Sequence, residues 1–482
     1  MMRKRILFSV IAVVLLACVL CAAFACESYK AKALSKVGDK NAVVESNGGL
    51  VVKQGGYLYF INGYTGYLTE KGKQNWFGRV QKGAIVRVTY NEDGTLGDDY
   101  VVVVPKSVMA DSENVGFSIF GEWIYYVSPS AEEDRSGAVQ TSTLQFMRTK
   151  IDGTGTQVIL NWDDTSVKYK YTANALVFFD SANGKLYSKA LNVKKFKKNK
   201  PGDLIDEDVA AVHFVKNETY DPKADASVAD YVLYTKKSED AYENSNTLYI
   251  SDARGSKDSK KAVIGADSYA DGKYSISVVA SSVTDEKLAI YYTKTSYVGT
   301  SSSGTVVGTY AYQFSDKTFA FAAANEVCLS TEDLSTLSPI SYAEGVVKTG
   351  SNARIYYADG REVSTFGALE LSTFLCVKDN CFYYLNGDGI LLYYPVTKDA
   401  NAHYAYTTGE KFMTSFTGAE YFDGYFYFIQ DDDYDYMSRV KLSEIDIYSG
   451  KDATVTRVAL ITAADKTKME AAEKEAESGS DK

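Results

Sequence analysis

The 482-residue sequence is poor in the residues that enzymes most often use for chemistry. Histidine occurs only twice, as His213 and His403, and neither lies in an H-E-x-x-H or comparable ligand spacing. Metal sites and acid–base machinery that depend on imidazole are therefore nearly excluded. The sequence also lacks the G-x-S-x-G and G-x-x-x-x-G-K-[ST] motifs. We therefore expect no catalytic residues, no cofactor and no metal site.

Two short matches to penicillin-binding enzymes are present but carry little weight. Ser438–Lys441 fits S-x-x-K and Lys348–Gly350 fits K-T-G. The S-x-x-K chemistry needs both side chains on one helix face, whereas residues 438–441 have the pattern of a strand, in which residues three apart point oppositely. The order of the two motifs is also reversed, so we interpret them as coincidental.

Cysteine is scarce after the N-terminal region, where only Cys328, Cys376 and Cys381 remain. A disulfide framework in an exported protein uses more cysteines and an even number. Cys376 and Cys381 flank a predicted turn, so a disulfide across that hairpin is one alternative. The favoured interpretation is that these cysteines are small buried hydrophobic residues.

The N-terminus has the pattern of an export signal. Residues 3–5 are basic, and residues 6–26 are uncharged and mostly apolar. The residues before Cys18 match a bacterial lipobox, whereas those before Cys26 lie at the polar boundary but fit one poorly and also match an A-x-A cleavage site. Cys18 or Cys26 is the expected lipid anchor. An uncleaved transmembrane anchor and a plain cleavage site are the alternatives. Each alternative places the body outside the cytoplasmic membrane, and the favoured lipid anchor places it at the outer face of the bacterial cytoplasmic membrane.

The charge of the chain argues against nucleic acid as a partner. The net charge is −10, and removal of residues 1–25, which carry three positive and no negative charges, changes it to −13. An acidic body repels phosphate backbones. The one basic cluster, Lys194–Lys200, is followed closely by acidic residues and is interpreted as a solvated loop between strands.

Acidic and turn-forming segments supply weak calcium candidates. The run Asp431–Asp435 lacks the alternating spacing by which an EF-hand loop converges oxygens on one ion. Asn91–Gly94 and Asn386–Gly389 have the chemistry of hairpin turns. We interpret all three segments as turns between strands.

Aromatic residues are abundant, with 39 tyrosines and 22 phenylalanines. Pairs of adjacent large residues recur after turn signals, mostly 44 to 66 residues apart with one step of 27. These pairs are Tyr59-Phe60, Tyr125-Tyr126, Phe178-Phe179, Leu233-Tyr234, Tyr291-Tyr292, Tyr356-Tyr357, Tyr383-Tyr384 and Tyr427-Phe428.

The paired aromatics predict sheets covered on both faces. Neighbouring residues in a strand point to opposite faces of its sheet, so both members of a pair are buried only if both faces are covered. Almost no segment has a helical pattern, so the cover must be other sheets. This favours an all-β fold, a single β-propeller of eight blades, or seven if the segment around Tyr356 is incomplete. Separate β-sandwiches and a β-solenoid are the weaker alternatives.

The domain organisation follows from these patterns. We expect a signal peptide or lipoprotein signal at residues 1–25, and a linker with a candidate closing strand at 26–48. The propeller spans residues 49–462. A charged tail at 463–482 has the composition of a short helix or a disordered segment.

Residues 121–160 resemble a family of exported bacterial propeller domains of unknown function, which are similar to the propeller of low-density-lipoprotein-receptor-related proteins. The resemblance rests on Ile124–Val127 and Asp152–Gly155. The receptor propellers carry Tyr-Trp-Thr-Asp, and Tyr291–Lys294 departs from that motif, so their blade number does not transfer. The resemblance implies a cell-surface lipoprotein of Gram-positive-type bacteria with no established activity.

Two functions of different classes follow. The favoured hypothesis is a non-catalytic cell-surface lipoprotein that binds a protein, peptide or glycan and contacts the membrane through its N-terminal anchor. The alternative is an extracytoplasmic carbohydrate-active enzyme that uses Asp, Glu or Tyr in the propeller channel. The 62 acidic residues give no basis for naming a pair. A third, weaker hypothesis is an assembly factor for an envelope complex.

Overall fold

The computed structural model describes most of the body of the chain. The described residues are 34–63, 76–77, 80–81, 83–108, 116–129, 143–164, 166–216, 218–225, 227–237, 247–256, 258–265, 268–270, 272, 274–297, 304–334, 340–342, 345–348, 354–363, 371–378, 381–386, 391–395, 405–406, 416–430, 437–444 and 455–458. The predicted signal, the lipid-anchor candidates Cys18 and Cys26, and the tail at 463–482 lie outside these residues.

The described residues form eight antiparallel sheets of four or five strands, each built from strands that follow one another in the chain. Sheet 1 contains β1 (Val44–Glu45), β2 (Val51–Gln54), β3 (Tyr57–Asn62), β6 (Ala84–Thr89) and β7 (Val101–Val104). Between β3 and β6, a separate hairpin contains β4 (Trp76–Phe77) and β5 (Val80–Gln81). Sheet 2 contains β8 (Ser118–Phe120), β9 (Trp123–Pro129), β10 (Leu144–Lys150) and β11 (Gln157–Trp162). Sheet 3 contains β12 (Lys168–Tyr171), β13 (Ala175–Asp180), β14 (Lys185–Ala190) and β15 (Asp203–Asp206).

The remaining five sheets repeat the same meander. Sheet 4 contains β16 (Val209–Phe214), β17 (Tyr231–Lys236), β18 (Leu248–Asp252) and β19 (Lys261–Ile264). Sheet 5 contains β20 (Tyr274–Thr284), β21 (Lys287–Ser296), β22 (Thr305–Gln313) and β23 (Val327–Ser330). Sheet 6 contains β24 (Ile340–Tyr342), β25 (Gly345–Lys348), β26 (Arg354–Tyr357) and β27 (Glu362–Val363). Sheet 7 contains β28 (Leu371–Lys378), β29 (Cys381–Asn386), β30 (Leu391–Pro395) and β31 (Ala405–Tyr406). Sheet 8 contains β32 (Phe416–Phe422), β33 (Tyr425–Gln430), β34 (Met437–Lys441) and β35 (Val455–Arg457).

Helical structure in the described part of the chain is limited to single 3₁₀ turns at Val228–Asp230, Ala323–Asn325 and Leu442–Glu444. No helix is therefore available there to cover a sheet. Hydrophobic cover must come from one sheet packing on another, as the paired aromatics require.

Adjacent members of a pair pack into different interfaces, which confirms the double-sided burial. Tyr126 lies in the hydrophobic cluster that joins sheets 1 and 2, whereas Tyr125 lies in the cluster that joins sheets 2 and 3. The pattern continues around the molecule. Tyr234 packs with sheet 3 and Leu233 with sheet 5, while Tyr292 packs with sheet 4. Among the described side chains, sheets 1 to 5 are thus covered on both faces by their neighbours.

Sheet 6 departs from the regular position of the aromatic pair. In the other seven sheets the pair lies on the strand that follows the first strand of the meander. In sheet 6, Tyr356-Tyr357 lies on β26, one strand later, and the position of the missing pair is taken by Val346-Val347 of β25. This shift explains the step of 27 residues to Tyr383 in the sequence. The segment around Tyr356 nevertheless forms a four-stranded sheet of its own.

The last sheet packs on the first, so the series of sheets returns on itself. Tyr427 and Met437 of sheet 8 belong to the same hydrophobic cluster as the core of sheet 1. The hydroxyl of Tyr90, just after β6, donates a 2.7 Å hydrogen bond to Asp423. Consecutive four-stranded meanders, with faces packed on their neighbours and the last on the first, define a β-propeller.

The N-terminal strand β1 extends the first sheet. β1 pairs with β2 at the edge of sheet 1, and every strand of sheet 8 comes from the C-terminal part of the chain. In the described residues, sheets 8 and 1 are held together by side-chain packing and hydrogen bonds. The candidate closing strand within residues 26–48 is therefore an addition to the first sheet.

Substitution of either tyrosine of the pair in sheet 2 tests the double-sided burial. We expect Tyr125→Ala and Tyr126→Ala each to lower the free energy of unfolding by about 3–5 kcal/mol, because each leaves a cavity in a different interface. Leu204→Ala, at a side chain that is 47% exposed, should cost much less. Urea denaturation measures the three values. A large loss for only one tyrosine would show that one face of the sheet is open.

Candidate functional site at the propeller axis

The first strand of each meander lies nearest the axis of the ring. The pairs β12 and β16, β20 and β24, and β28 and β32 are in contact, as are β2 and β8. These contacts join the first strands of neighbouring sheets, with β2 counted as the first strand of the meander in sheet 1 because β1 is an additional strand at its edge. Strands converge in this way only where the sheets come closest together, at the centre. We call these first strands the inner strands.

Residues 44–50, which we call the axial segment, run inside the ring. β1 pairs with β2 on the side away from β3, so it lies closer to the axis than the inner strand of sheet 1. Val44 also forms an antiparallel bridge with Tyr220, which follows the inner strand of sheet 4. The two N···O distances are 2.8 and 2.9 Å. Sheets 1 and 4 are not neighbours, so this bridge carries the axial segment across the axis.

The axial segment is also paired with the inner edge of sheet 2. The side chain of Asn47 accepts a 2.7 Å hydrogen bond from the backbone N–H of Ile119 and donates one of 3.2 Å to its carbonyl. The backbone N–H groups of Gly48 and Phe117 donate to Phe117 and Gly49 carbonyls respectively. The segment therefore extends the sheet locally and satisfies backbone groups that an inner edge would otherwise expose.

Glu420 of β32 holds the axial segment from the side of sheet 8. Its carboxylate accepts hydrogen bonds from the Ser46 hydroxyl and from the backbone N–H groups of Leu50 and Val51, the latter two at 2.5 and 3.3 Å. A Cβ at Gly49 would overlap this carboxylate, so the close approach requires glycine. Burial raises the pKa of Glu420 to about 7, and the negative charge of Glu218 acts in the same direction.

On the opposite side of the axis, exposed residues of the described inner strands carry positive charge. Lys168, Ala210, Ala211 and Ser277 lie on the inner strands of sheets 3, 4 and 5 and are exposed. Since the faces of these sheets are covered by their neighbours, exposed inner-strand residues border the space around the axis. Two of the four are alanines, whose small side chains leave that space unfilled. Lys216, just beyond β16, is also exposed.

The local potential is visible in the titration of His213, on β16. Burial, with the charges of Lys168, Lys170 and Lys216 acting in the same direction, lowers the pKa of His213 to about 4. Its Nε2 atom lies 2.8 Å from the Ser281 hydroxyl of sheet 5. At neutral pH His213 is therefore uncharged and links two inner strands.

Lys170 lies at the inner end of the interface between sheets 3 and 4. Its ammonium group donates hydrogen bonds to the carbonyls of Val215 and Ala229. Burial lowers the pKa of Lys170 to about 8, and the charge of Asp230 opposes this shift. This lysine is held in place by the backbone of sheet 4, whereas Lys168 and Lys216 are exposed to solvent.

Several residues singled out from sequence have structural positions. Ser438 and Lys441 lie on β34, as predicted for a strand, which excludes the helical geometry of S-x-x-K chemistry. Lys194–Lys200 lies between β14 and β15, as predicted. Asn91 and Gly94 close a turn through a 2.9 Å backbone hydrogen bond, again as predicted. The segment Asp431–Asp435 and His403 lie outside the described residues. Within those residues no cluster of three or more His, Cys, Asp or Glu side chains is arranged to hold a metal ion.

The register between β28 and β29 tests whether Cys376 and Cys381 are close enough to form a disulfide. Cys376 is opposite Tyr383, and Cys381 is opposite Lys378, two positions along the same ladder. Diagonal Cα atoms in such a ladder are about 7–8 Å apart. A disulfide between Cys376 and Cys381 would therefore need backbone movement.

No helix among the described residues is long and apolar enough to span a membrane. No protein-family model and no curated protein matches the sequence. The lipoprotein signal and the family resemblance proposed from the sequence therefore stay predictions.

Solved structures show a distant likeness to this chain over 66 to 83% of its length. Apo AztD from Citrobacter koseri is 9% identical, with a TM-score of 0.38 over 83% of this chain and 98% of that one. The Dos1 propeller is 10% identical, with a TM-score of 0.37 over 83% and 93%. The nidogen/laminin complex is 9% identical, with a TM-score of 0.25 over 66% and 88%. Likeness at this level carries no argument about ligand or activity.

The residues at the axis were not found from the sequence. Glu420, Lys168, Lys170 and Lys216 belong to no motif, because they come from three sheets and converge only when the ring forms. His213 was expected to be a packed or surface strand residue, and it is a partly buried residue of an inner strand. The glycines at 48–49 were the only local signal of a close backbone approach.

The raised pKa of Glu420 predicts a dependence of stability on pH. Because the folded state holds a proton more tightly than the unfolded chain between pH 4.5 and about 7, this group stabilises the protein at acidic pH and loses that contribution as pH rises. Glu420→Gln should remove this dependence, which is on the order of 2 kcal/mol. Urea midpoints at pH 5 and pH 7.5 for wild type and variant measure it.

His213 contributes in the opposite direction over part of this range. Its depressed pKa gives stability that is present above pH 6.5 and lost as pH falls through about 4. The difference in unfolding free energy between wild type and Glu420→Gln at each pH gives the contribution of the Glu420 carboxyl alone, since both proteins retain His213. An equal response of the two proteins to pH would refute the role of Glu420.

Proposed function

We propose that the protein is a non-catalytic binding propeller, tethered to the outer face of the bacterial cytoplasmic membrane by a lipid on Cys18 or Cys26. Its open axial side, bordered by Lys168 and Lys216, binds an anionic group on a surface protein, peptide or glycan. The observation that carries the proposal is this exposed basic region at the centre of a protein with net charge −10.

The electrostatics favour an anion over other ligands. The three lysines depress the pKa of His213, so a positive potential exists at the inner strands of sheets 3 and 4. A concave site with low-dielectric walls concentrates such a potential and attracts charge of the opposite sign. The acidic remainder of the surface repels the same ligand, so binding is directed to the axis.

The hydrogen bonds of the Glu420 carboxylate favour a binding function over a catalytic one. Both oxygens of Glu420 accept hydrogen bonds from the chain itself, and the axial segment covers that side of the axis. A catalytic carboxylate has to reach substrate. The side of the axis nearest sheets 8, 1 and 2 is therefore built for structure, which leaves the opposite side for a ligand.

The location rests on the sequence. The basic residues 3–5, the apolar segment and the lipobox-like residues before Cys18 and Cys26 support export and lipidation. The resemblance to exported propeller domains of bacteria supports the same location. Palmitate labelling of wild type and of Cys18→Ala and Cys26→Ala variants in cells distinguishes the two cysteines from an unmodified anchor.

Matched ligand pairs test the proposed site. We expect the protein to bind uronic-acid oligosaccharides or phosphorylated peptides more tightly than their neutral or unphosphorylated counterparts, with affinity that falls as salt rises. Lys168→Gln together with Lys216→Gln should weaken this binding about tenfold or more, since about 1.4 kcal/mol corresponds to a factor of ten. Isothermal titration calorimetry measures the affinities.

The exposed basic loop supplies the control. Lys194→Gln together with Lys195→Gln removes the same charge from the connection between β14 and β15, away from the inner strands. This variant should keep the affinity of the wild type. Equal weakening in both double variants, or no preference for anionic ligands, would rule out the axial site.

A further inference from the structure

An arginine recurs with the same surroundings in three consecutive sheets of the ring. Each arginine lies on the third strand of a meander and is paired across the ladder with a tyrosine of the second strand. The pairs are Arg439 with Tyr427 in sheet 8, Arg87 with Tyr59 in sheet 1, and Arg148 with Tyr125 in sheet 2. Cross-strand partners point to the same face, so each guanidinium is directed into the interface with the following sheet.

All three guanidinium groups are also stacked on an aromatic ring. Their central carbon atoms lie 4.0 Å from the ring centroids of Tyr425, Tyr57 and Trp123. These rings are two residues before the paired tyrosines, on the same strand face. The repeated geometry makes the three positions structurally equivalent.

Two of the three arginines donate a hydrogen bond to a loop of the next sheet, although Arg439 Nε, like Arg87 Nε, has no partner. Arg439 Nη1 donates a 2.9 Å hydrogen bond to the Gly94 carbonyl of sheet 1. Arg148 Nη1 donates one of 2.7 Å to the Leu191 carbonyl of sheet 3, and its other nitrogens bond to Gln157 and Val193. Both loop carbonyls follow the third strand of their sheet.

Arg87 lacks the equivalent acceptor. The loop that would supply it is the one after β10, but there the Asp152 carbonyl accepts a 3.1 Å hydrogen bond from the N–H of Leu34. The N-terminal residues that follow Leu34 enter the interface between sheets 1 and 2. Gly38 lies over Tyr57 and Tyr59. A Cβ atom added at Gly38 would lie 3.2 Å from the Tyr57 ring and 3.5 Å from the Tyr59 hydroxyl.

The result is a set of buried polar atoms without partners. Arg87 is 4% exposed, and its Nε and Nη1 atoms form no hydrogen bond. Gln54 and Tyr59 are fully buried, and the Gln54 Oε1 and Tyr59 Oη atoms are equally unpartnered. The Gln54 Nε2 atom donates a 3.0 Å hydrogen bond to the Gly121 carbonyl, and this bond fixes the orientation of the side-chain amide. These atoms lie on one face of three adjacent strands.

A buried cation without a partner is strongly unfavourable in a folded protein. Burial raises the pKa of Tyr59 to about 12, against the opposing charge of Arg87, so Tyr59 stays neutral and supplies no negative charge. The carboxylate that acts on Arg87 from a distance is Asp99, whose oxygens accept hydrogen bonds from the N–H and hydroxyl of Thr89 at 2.8 Å. A water molecule would satisfy hydrogen bonds here but would leave the charge uncompensated.

We propose that the interface between sheets 1 and 2 contains a buried binding site for a small monovalent anion of halide size, formed by Arg87 Nε and Nη1 with the Tyr59 hydroxyl. Gln54 Oε1 accepts a hydrogen bond from a water molecule beside the anion. The N-terminal residues at Leu34 and Gly38 close the site, so the anion stabilises the attachment of the N-terminus to the ring. This site is separate from the axis and does not depend on the proposed ligand.

Bromide is the probe that locates the anion directly. Crystals of the wild-type protein soaked in sodium bromide should show an anomalous peak within hydrogen-bond distance of Arg87 and Tyr59. Absence of a peak there, with only water density beside Arg87, overturns the proposal. Peaks confined to the protein surface overturn it as well.

A solution measurement tests affinity with a matched variant. At constant ionic strength, replacement of sodium gluconate by sodium bromide should raise the melting temperature of the wild type along a saturable curve. Arg87→Met should lose this rise, whereas Arg439→Met, which removes the equivalent arginine whose Nη1 atom is already bonded to a loop carbonyl, should keep it. A rise of equal size in both variants, or none in the wild type, contradicts the site. If a variant fails to fold, the wild-type crystals alone decide.

Discussion

The requirement to cover both faces of every sheet determines this structure. Adjacent large side chains on one strand point in opposite directions, so each sheet needs a hydrophobic neighbour on either side. Tyr125 and Tyr126, which pack into two different clusters, show the requirement met at a single strand. A linear stack of sheets would leave the outer faces of its first and last members exposed. A ring leaves none exposed, and here sheet 8 covers sheet 1.

The ring creates a second requirement at its centre. Inner strands have an unpaired edge, and the axial segment supplies partners to sheets 1 and 2 while Glu420 fixes it from sheet 8. A single carboxylate that accepts hydrogen bonds from several backbone N–H groups fixes a chain segment in place, but burial raises the pKa of that carboxylate. On the opposite side of this centre, exposed lysines lie on and just beyond the inner strands. Structural closure and the proposed anion binding thus occupy different sides of one axis.

Much of the fold could be predicted from the sequence, because the aromatic pairs report a local property. The alternation of faces along a strand is fixed by backbone geometry, so Tyr125-Tyr126 alone indicates cover on both sides. The pair at Tyr356 lies in a sheet of its own, but the sequence did not indicate that it lies on the third strand, where sheet 6 differs from the others by carrying valines in its second strand. The sequence did not indicate the role of residues 44–50, because a two-residue strand has no pattern that distinguishes closing the last sheet from extending the first.

The axial and interface sites could not be predicted for a different reason. Glu420 and Leu50 are 370 residues apart, and Lys170, His213 and Ser281 come from three sheets. Spacing along the chain does not indicate such contacts, which can be identified only from the folded ring. Arg87, Arg148 and Arg439 do follow a local rule, an arginine opposite the second aromatic residue of an aromatic-x-Tyr segment. That rule became visible only once the strand register was known.

The account depends most directly on the contact between the last sheet and the first. A double-mutant cycle of Tyr90→Phe and Asp423→Asn, measured by urea unfolding, tests the 2.7 Å hydrogen bond between residues 333 positions apart. A closed ring predicts a coupling energy of about 1 kcal/mol, as is typical of a hydrogen bond to a charged group that is partly exposed. Additive effects of the two substitutions, with no coupling, would contradict closure of the ring between sheets 8 and 1.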